Sequence, residues 1–210
     1  LAAARAATLA ALAVALVSAA LVVAFGAATS PLLGVAGVGL SVRLDPLTAV
    51  MFTLVTFVGA IVVQFSRNYM DGDDRQGAFT GGLCLTLAAV SLLILSGNLY
   101  HLVFAWIATS LALHRLLLFY PERANAQVAG RKKFIAARAG DALLIVAAVL
   151  LARAFATTDI ATILEAARVA AAAGEVPAGV LPATLLIAAA ALLKSAQFPT
   201  HGWLAEVMET

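Results

Sequence analysis

The chain has 210 residues, 63% of them hydrophobic and 11% charged, with a formal net charge of +2 and a mean hydropathy of +1.03. A soluble domain carries about 45–50% apolar and about 25% charged residues, so this much apolar surface has to meet lipid. The small net charge, with no basic stripe interleaved with aromatics, speaks against a nucleic-acid binder, and a single cysteine, Cys84, rules out an internal disulfide.

A spanning helix needs about 20 mainly apolar residues, and about six segments qualify. The first, residues 6–28, has an apolar stretch longer than a signal-peptide core and no clear cleavage site after it. The second, 46–66, opens on Asp45-Pro46, an N-cap followed by a proline at the first helical position. The third covers 78–96 and ends at the turn Gly97-Asn98. The fourth covers 99–120 and is stopped by Pro121. The fifth covers 134–155, and the sixth starts near Pro182 and meets Pro199. The segment 157–178, with Asp159, Glu165, Arg168 and Glu175 among alanines, reads as an exposed amphipathic helix on the outer side.

The expected fold is therefore all-α: a polytopic transmembrane bundle forming one domain over residues 1–210, without internal repeats or a Gly/Ser linker. The chain opens on Leu1 and closes on Glu209-Thr210 in mid-phrase, so a piece of a longer subunit is expected. Six spans place Arg5, the connector 67–77 with Arg67 and Arg75, and the connector 122–133 with Arg123, Arg131, Lys132 and Lys133 on one side. The positive-inside rule makes that side cytoplasmic. Arg123, Arg131, Lys132 and Lys133 are then candidates for docking a cytoplasmic partner.

Ionisable groups inside a span are costly and face a partner or a wet cavity. Asp141 falls about two turns into the fifth helix, with Arg138 three residues earlier on the same face. The pair is either an ion-translocating element or a structural ion pair near the cytoplasmic end. Lys194 follows the apolar run 185–193 and precedes Ser195 and Pro199. Proline removes a backbone donor and frees carbonyls about a turn back, near Ser195. Lys194 beside such a break suits proton exchange; the alternative is a lysine that snorkels to the interface. His114 and Arg115, late in the fourth helix, join the candidates for ion translocation because histidine titrates near neutral pH. Their nearness to Pro121 equally fits snorkelling or a structural hydrogen bond. The three histidines, His101, His114 and His201, lie far apart and without the cysteine, so there is no metal-site spacing. No phosphate loop or nucleophile elbow occurs, and no cofactor is expected in this chain.

Two phrases carry a family resemblance. Arg131-Lys132-Lys133-Phe134-Ile135-Ala136-Ala137-Arg138-Ala139-Gly140-Asp141 resembles the start of a core helix in the antiporter-like subunits of respiratory complex I. So does Leu193-Lys194-Ser195-Ala196-Gln197-Phe198-Pro199-Thr200-His201-Gly202-Trp203-Leu204, with Glu206-Val207-Met208-Glu209. The resemblance covers the chain from about Arg43 onward. It implies that Lys194 is the central lysine of a discontinuous helix and Asp141 the buried aspartate of the helix before it. Pumping members carry a glutamate directly after the tryptophan matching Trp106, where this chain has Ile107.

The phrases Leu111-Ala112-Leu113-His114-Arg115-Leu116-Leu117 and Phe119-Tyr120-Pro121-Glu122-Arg123 look most like a divergent branch, the membrane subunits (DabB) of the DAB inorganic-carbon pumps. That resemblance implies a non-enzymatic, ion-conducting subunit in the cell inner membrane. It also implies a large cytoplasmic partner (DabA), zinc-containing and carbonic-anhydrase-like, and bicarbonate accumulation driven by protons or another cation. The alternatives are a proton-pumping subunit of a quinone-reducing complex or multisubunit cation/proton antiporter, and a non-conducting scaffold that docks a partner.

Overall fold

The computed structural model describes residues 1–35, 37–195, 197 and 201–208. Helices dominate them, in the order α1 (Ala2–Phe25), α2 (Pro46–Tyr69), α3 (Gln76–Ile94), α4 (Leu99–Leu117), α5 (Ala124–Phe155), α6 (Ile160–Ala172), α7 (Val180–Lys194) and α8 (Gly202–Met208). Four of them, α1, α2, α3 and α5, are long and apolar enough to cross a membrane. α4 has 19 residues but carries His101, His114 and Arg115, and α7 has 15. Leucines, valines and phenylalanines stand outward along the bundle, with Phe25 83% and Leu185 63% exposed. In water such a surface would drive aggregation; in a bilayer it is the solvated face. The protein is a multi-pass membrane protein.

The helix starts are set locally. Asp45 and Thr48 form a reciprocal capping box ahead of α2, each side chain 2.7 Å from the other residue's backbone nitrogen. Asn98 caps α4 through its Oδ1, which accepts from the Tyr100 backbone N–H at 2.8 Å. Asp159 does the same for α6 by accepting from Thr162 at 2.8 Å. In α1 the buried residues are Thr8, Ala15 and Val22, one every seventh position, which is the seam that lies on α2.

Between α1 and α2, where the hydropathy pattern leaves a connector, lie two small antiparallel ribbons. β1 (Ala28–Thr29) pairs with β4 (Arg43–Leu44), and β2 (Leu33–Val35) pairs with β3 (Val38–Leu40). Gly34 and Gly39 face each other where any Cβ would collide with the opposite backbone. This ribbon is stitched to the starts of α4 and α6: Asn98 Nδ2 donates to Gly37 O at 3.0 Å and to Thr158 Oγ1 at 2.7 Å. His101 Nδ1 donates to Ser41 O at 2.9 Å.

The other end of the bundle is stitched separately. Tyr120, after α4, donates to Asp73, between α2 and α3, at 2.8 Å, and the guanidinium groups of Arg75 and Arg123 lie over its ring. Arg5 shares a groove there with Gln64 and Asn68. The loops thus sort onto two ends as an alternating up-and-down path requires, with Arg5, 70–75 and 118–123 together.

Two sequence expectations change. α5 begins at Ala124, ten residues before the expected start at 134, so its 32 residues reach about 48 Å. Asp141 therefore sits near the middle of the helix, not two turns in. The expected discontinuous helix is found: α7 ends at Lys194 and α8 starts at Gly202. Pro199, expected to break it, lies outside the described residues.

Candidate functional site

The site lies where α5, α4 and α7 meet. Small residues allow the approach: Ala137, Gly140, Ala183 and Ala190 are buried along the α5–α7 contact. A Cβ on Gly140 would stand 3.6 Å from Lys194 Cγ and 3.4 Å from Ala190 O, so the missing side chain is the space along which the lysine stem runs.

Asp141 is 4% exposed. Its carboxylate lies 2.7 Å from Arg138 Nη2 on its own helix and 3.1 Å from Lys194 Nζ across the interface. Both are buried contacts between opposite charges. Lys194 Nζ also stands 4.8 Å from the ring centroid of Trp106 on α4, whose negative face favours a cation. The Arg138 guanidinium lies 5.2 Å from the centroid of the Phe134 ring, and the His114 ring centroid lies 5.0 Å from the same ring.

Of the residues the sequence proposed, the structure brings Lys194, Asp141 and Arg138 together, with His114 beside them through Phe134. Arg115 is exposed and makes no ion pair among the described residues. Ser195 caps α7 and donates its hydroxyl to Ala191 O at 2.6 Å. Of the four basic residues assigned to partner docking, Arg123 and Arg131 are exposed, and Lys132 forms a close ion pair with Glu206 of α8. Lys133 requires a correction: it is 7% exposed and points inward, donating to Ser110 O on α4 at 2.7 Å. It is not available to a cytoplasmic partner. The signal was present in its spacing, because Lys133, Ala137, Asp141, Leu144 and Ala148 fall on one helical face, and all are buried. A helix expected to start at 134 hides that register.

Among the described residues no group of three His, Cys, Asp or Glu could hold a metal ion. The chemistry available is charge exchange within a buried cluster. Residues 96–210 match the transmembrane family described as NADH:quinone oxidoreductase/Mrp antiporter, and residues 33–80 match the N-terminus of chain 5 of NADH-ubiquinone oxidoreductase (complex I). The chain belongs to this antiporter-like family.

Family members of two kinds are similar to it. The chain is 41% identical over 177 residues to a probable inorganic carbon transporter subunit DabB2 of Halothiobacillus neapolitanus, covering 83% of this chain and 32% of the relative. It is 38% identical over 169 residues to the probable subunit DabB of Hydrogenovibrio crunogenus, covering 80% and 32%. NADH-quinone oxidoreductase subunit L of Pseudomonas aeruginosa is 33% identical over 168 residues, covering 79% and 26%. The Mrp complex from Dietzia sp. contains a chain that superposes with a TM-score of 0.76 at 27% identity, over 98% of this chain and 25% of that one. The chain thus spans about a third of the length of the curated relatives. These relatives and the solved structure belong to multisubunit membrane assemblies.

Proposed function

We propose that this chain is part of the ion-translocating membrane subunit of an energy-coupled inorganic-carbon uptake complex in the cell inner membrane. The observation that carries the ion-translocating half is the buried contact between Asp141 and Lys194 at the point where α7 stops. A charge pair in the low-dielectric interior is costly to maintain, and a lysine within it can lose and regain its charge. The proton is the coupling ion this chemistry fits, because a lysine releases and regains one, whereas Arg138 stays charged.

The inorganic-carbon half is supported by the greater similarity to the DabB relatives than to the quinone-reductase subunit. Ile107, half-buried after Trp106, supports it too, because a carboxylate at that position marks the pumping subunits that the chain otherwise resembles. In this reading carbon chemistry belongs to a large cytoplasmic zinc protein, which the exposed Arg123, Arg131 and Lys132 would meet.

Affinity purification of the full-length subunit from its native membrane tests this assignment. A stoichiometric large soluble partner containing zinc is the expected result. A set of quinone-reductase subunits would replace the carbon-uptake reading by the respiratory one.

A further inference from the structure

The cleft between α1 and α2 changes character along its length. At the end that carries the basic loops it is a groove of about 570 Å³. Its outermost walls are polar, with Arg5 on α1 and Gln64 and Asn68 on α2. Deeper along the same two helices the walls are Leu9, Leu12, Phe57 and Ile61. Spacings of three and four residues put each helix's share on one face.

The polar end has donors and no protein partner for them. Among the described residues Arg5 forms no ion pair, and the side chains of Arg5, Gln64 and Asn68 make no hydrogen bond. Asp71, beyond the end of α2, does not border the groove. A guanidinium and two amides are thus left to bind something from outside the chain. The opposite end of the same cleft is the comparison. There a second groove, of about 560 Å³, runs past Val22, Val50 and Leu54 and has no charged side chain on its walls.

Phe57 borders both grooves, which places it where the two leaflets meet. From Phe57 to Asn68 the helix rises about 16 Å at 1.5 Å per residue. Half of a hydrocarbon core about 30 Å thick is about 15 Å. The first groove therefore spans one leaflet, apolar from the midplane outward and cationic at the level of the headgroups.

We propose that this groove is a binding site for an anionic phospholipid of the leaflet on the side of the basic loops. Arg5 takes the phosphate, for which a guanidinium has the matching fork of donors. The amides of Gln64 and Asn68 donate to the remaining headgroup oxygens, and an acyl chain lies along Leu9, Leu12, Ile61 and Phe57. A zwitterionic headgroup brings its own cation towards Arg5 and is held less well. The second groove accepts acyl chains without regard to headgroup. The site does not depend on which ion or substrate the subunit carries.

The test uses the full-length subunit in its complete complex, in nanodiscs of equal parts phosphatidylglycerol and phosphatidylcholine. A photoreactive acyl chain is carried by one lipid or the other, and mass spectrometry locates the cross-links. One basic residue at an anionic lipid surface corresponds to about a fivefold preference. Labelling within residues 5–12 and 57–68 is expected to favour phosphatidylglycerol by about that factor. Labelling within residues 19–23 and 46–54 is expected to show no preference. Arg5→Gln, with assembly checked, should bring the first groove to the level of the second; the wild-type comparison of the two grooves stands without the variant. Equal labelling of the first groove by both lipids would reduce it to ordinary lipid contact. A preference that survives Arg5→Gln would remove the arginine from the site. Absence of labelling by either lipid would mean that another protein segment covers the groove. Each of these results overturns the proposal.

Discussion

Replacing Asp141 by Asn removes one charge at nearly constant volume from a residue that is 4% exposed. Two cations then lose their counter-charge, Arg138 at 2.7 Å and Lys194 at 3.1 Å. Removing one partner of a buried ion pair costs about 3–5 kcal/mol. The lower end applies here, because the side chains of Arg138 and Lys194 keep 33% and 20% of their exposure. The amide oxygen remains an acceptor and recovers about 1 kcal/mol. The net of about 2–3 kcal/mol corresponds to roughly 30- to 150-fold in the population of the paired arrangement. Gradient-driven uptake by cells carrying Asp141→Asn is expected to fall by that order while membrane abundance is unchanged. Immunodetection in membrane fractions alongside initial uptake rates measures both. Wild-type uptake at wild-type abundance would show that the carboxylate serves packing alone.

Lys194→Ala and Lys194→Arg should both abolish gradient-coupled uptake, because arginine keeps the charge but does not release its proton; full uptake with arginine would make Lys194 a fixed charge. A cysteine placed within residues 122–130 should be labelled by an impermeant thiol reagent only from the cytoplasm, and one within 174–178 only from outside. Labelling of both from one side would end the alternating topology. Asp73 offers a pH test outside the membrane: the Arg75 backbone N–H and then the Tyr120 hydroxyl hold its carboxyl below the ordinary range. Its contribution is thus complete above the ordinary value and lost as pH falls through the lowered one. Tyr120→Phe should make residues 70–75 lose hydrogen-exchange protection at a higher pH than wild type; identical profiles would show that the hydroxyl does not hold the loop.

Apolar runs made the bundle legible in the sequence, and Asp45 marked the start of α2 as a cap; the caps Asn98 and Asp159 emerged only in the structure. The ribbons between α1 and α2 were not legible, because their strands are two or three residues long and the bonds that tie them to the bundle come from Asn98 and Thr158, far along the chain. At the site, Asp141 and Lys194 stood out because charge inside an apolar run is rare. Lys133 was hidden among Arg131 and Lys132, whose charges made the segment look like a surface loop. The helix that begins at Ala124 carries all three basic residues, turning the third inward and leaving the first two at the surface.

The central claim is that the Asp141–Lys194 contact couples an ion gradient to inorganic-carbon uptake. Accumulation of labelled bicarbonate in cells expressing the full-length complex, with and without a protonophore, addresses it most directly. The account predicts accumulation above the external level that collapses with the protonophore and is absent in Lys194→Arg. Accumulation that survives the protonophore, or persists at the wild-type level in Lys194→Arg, would contradict it.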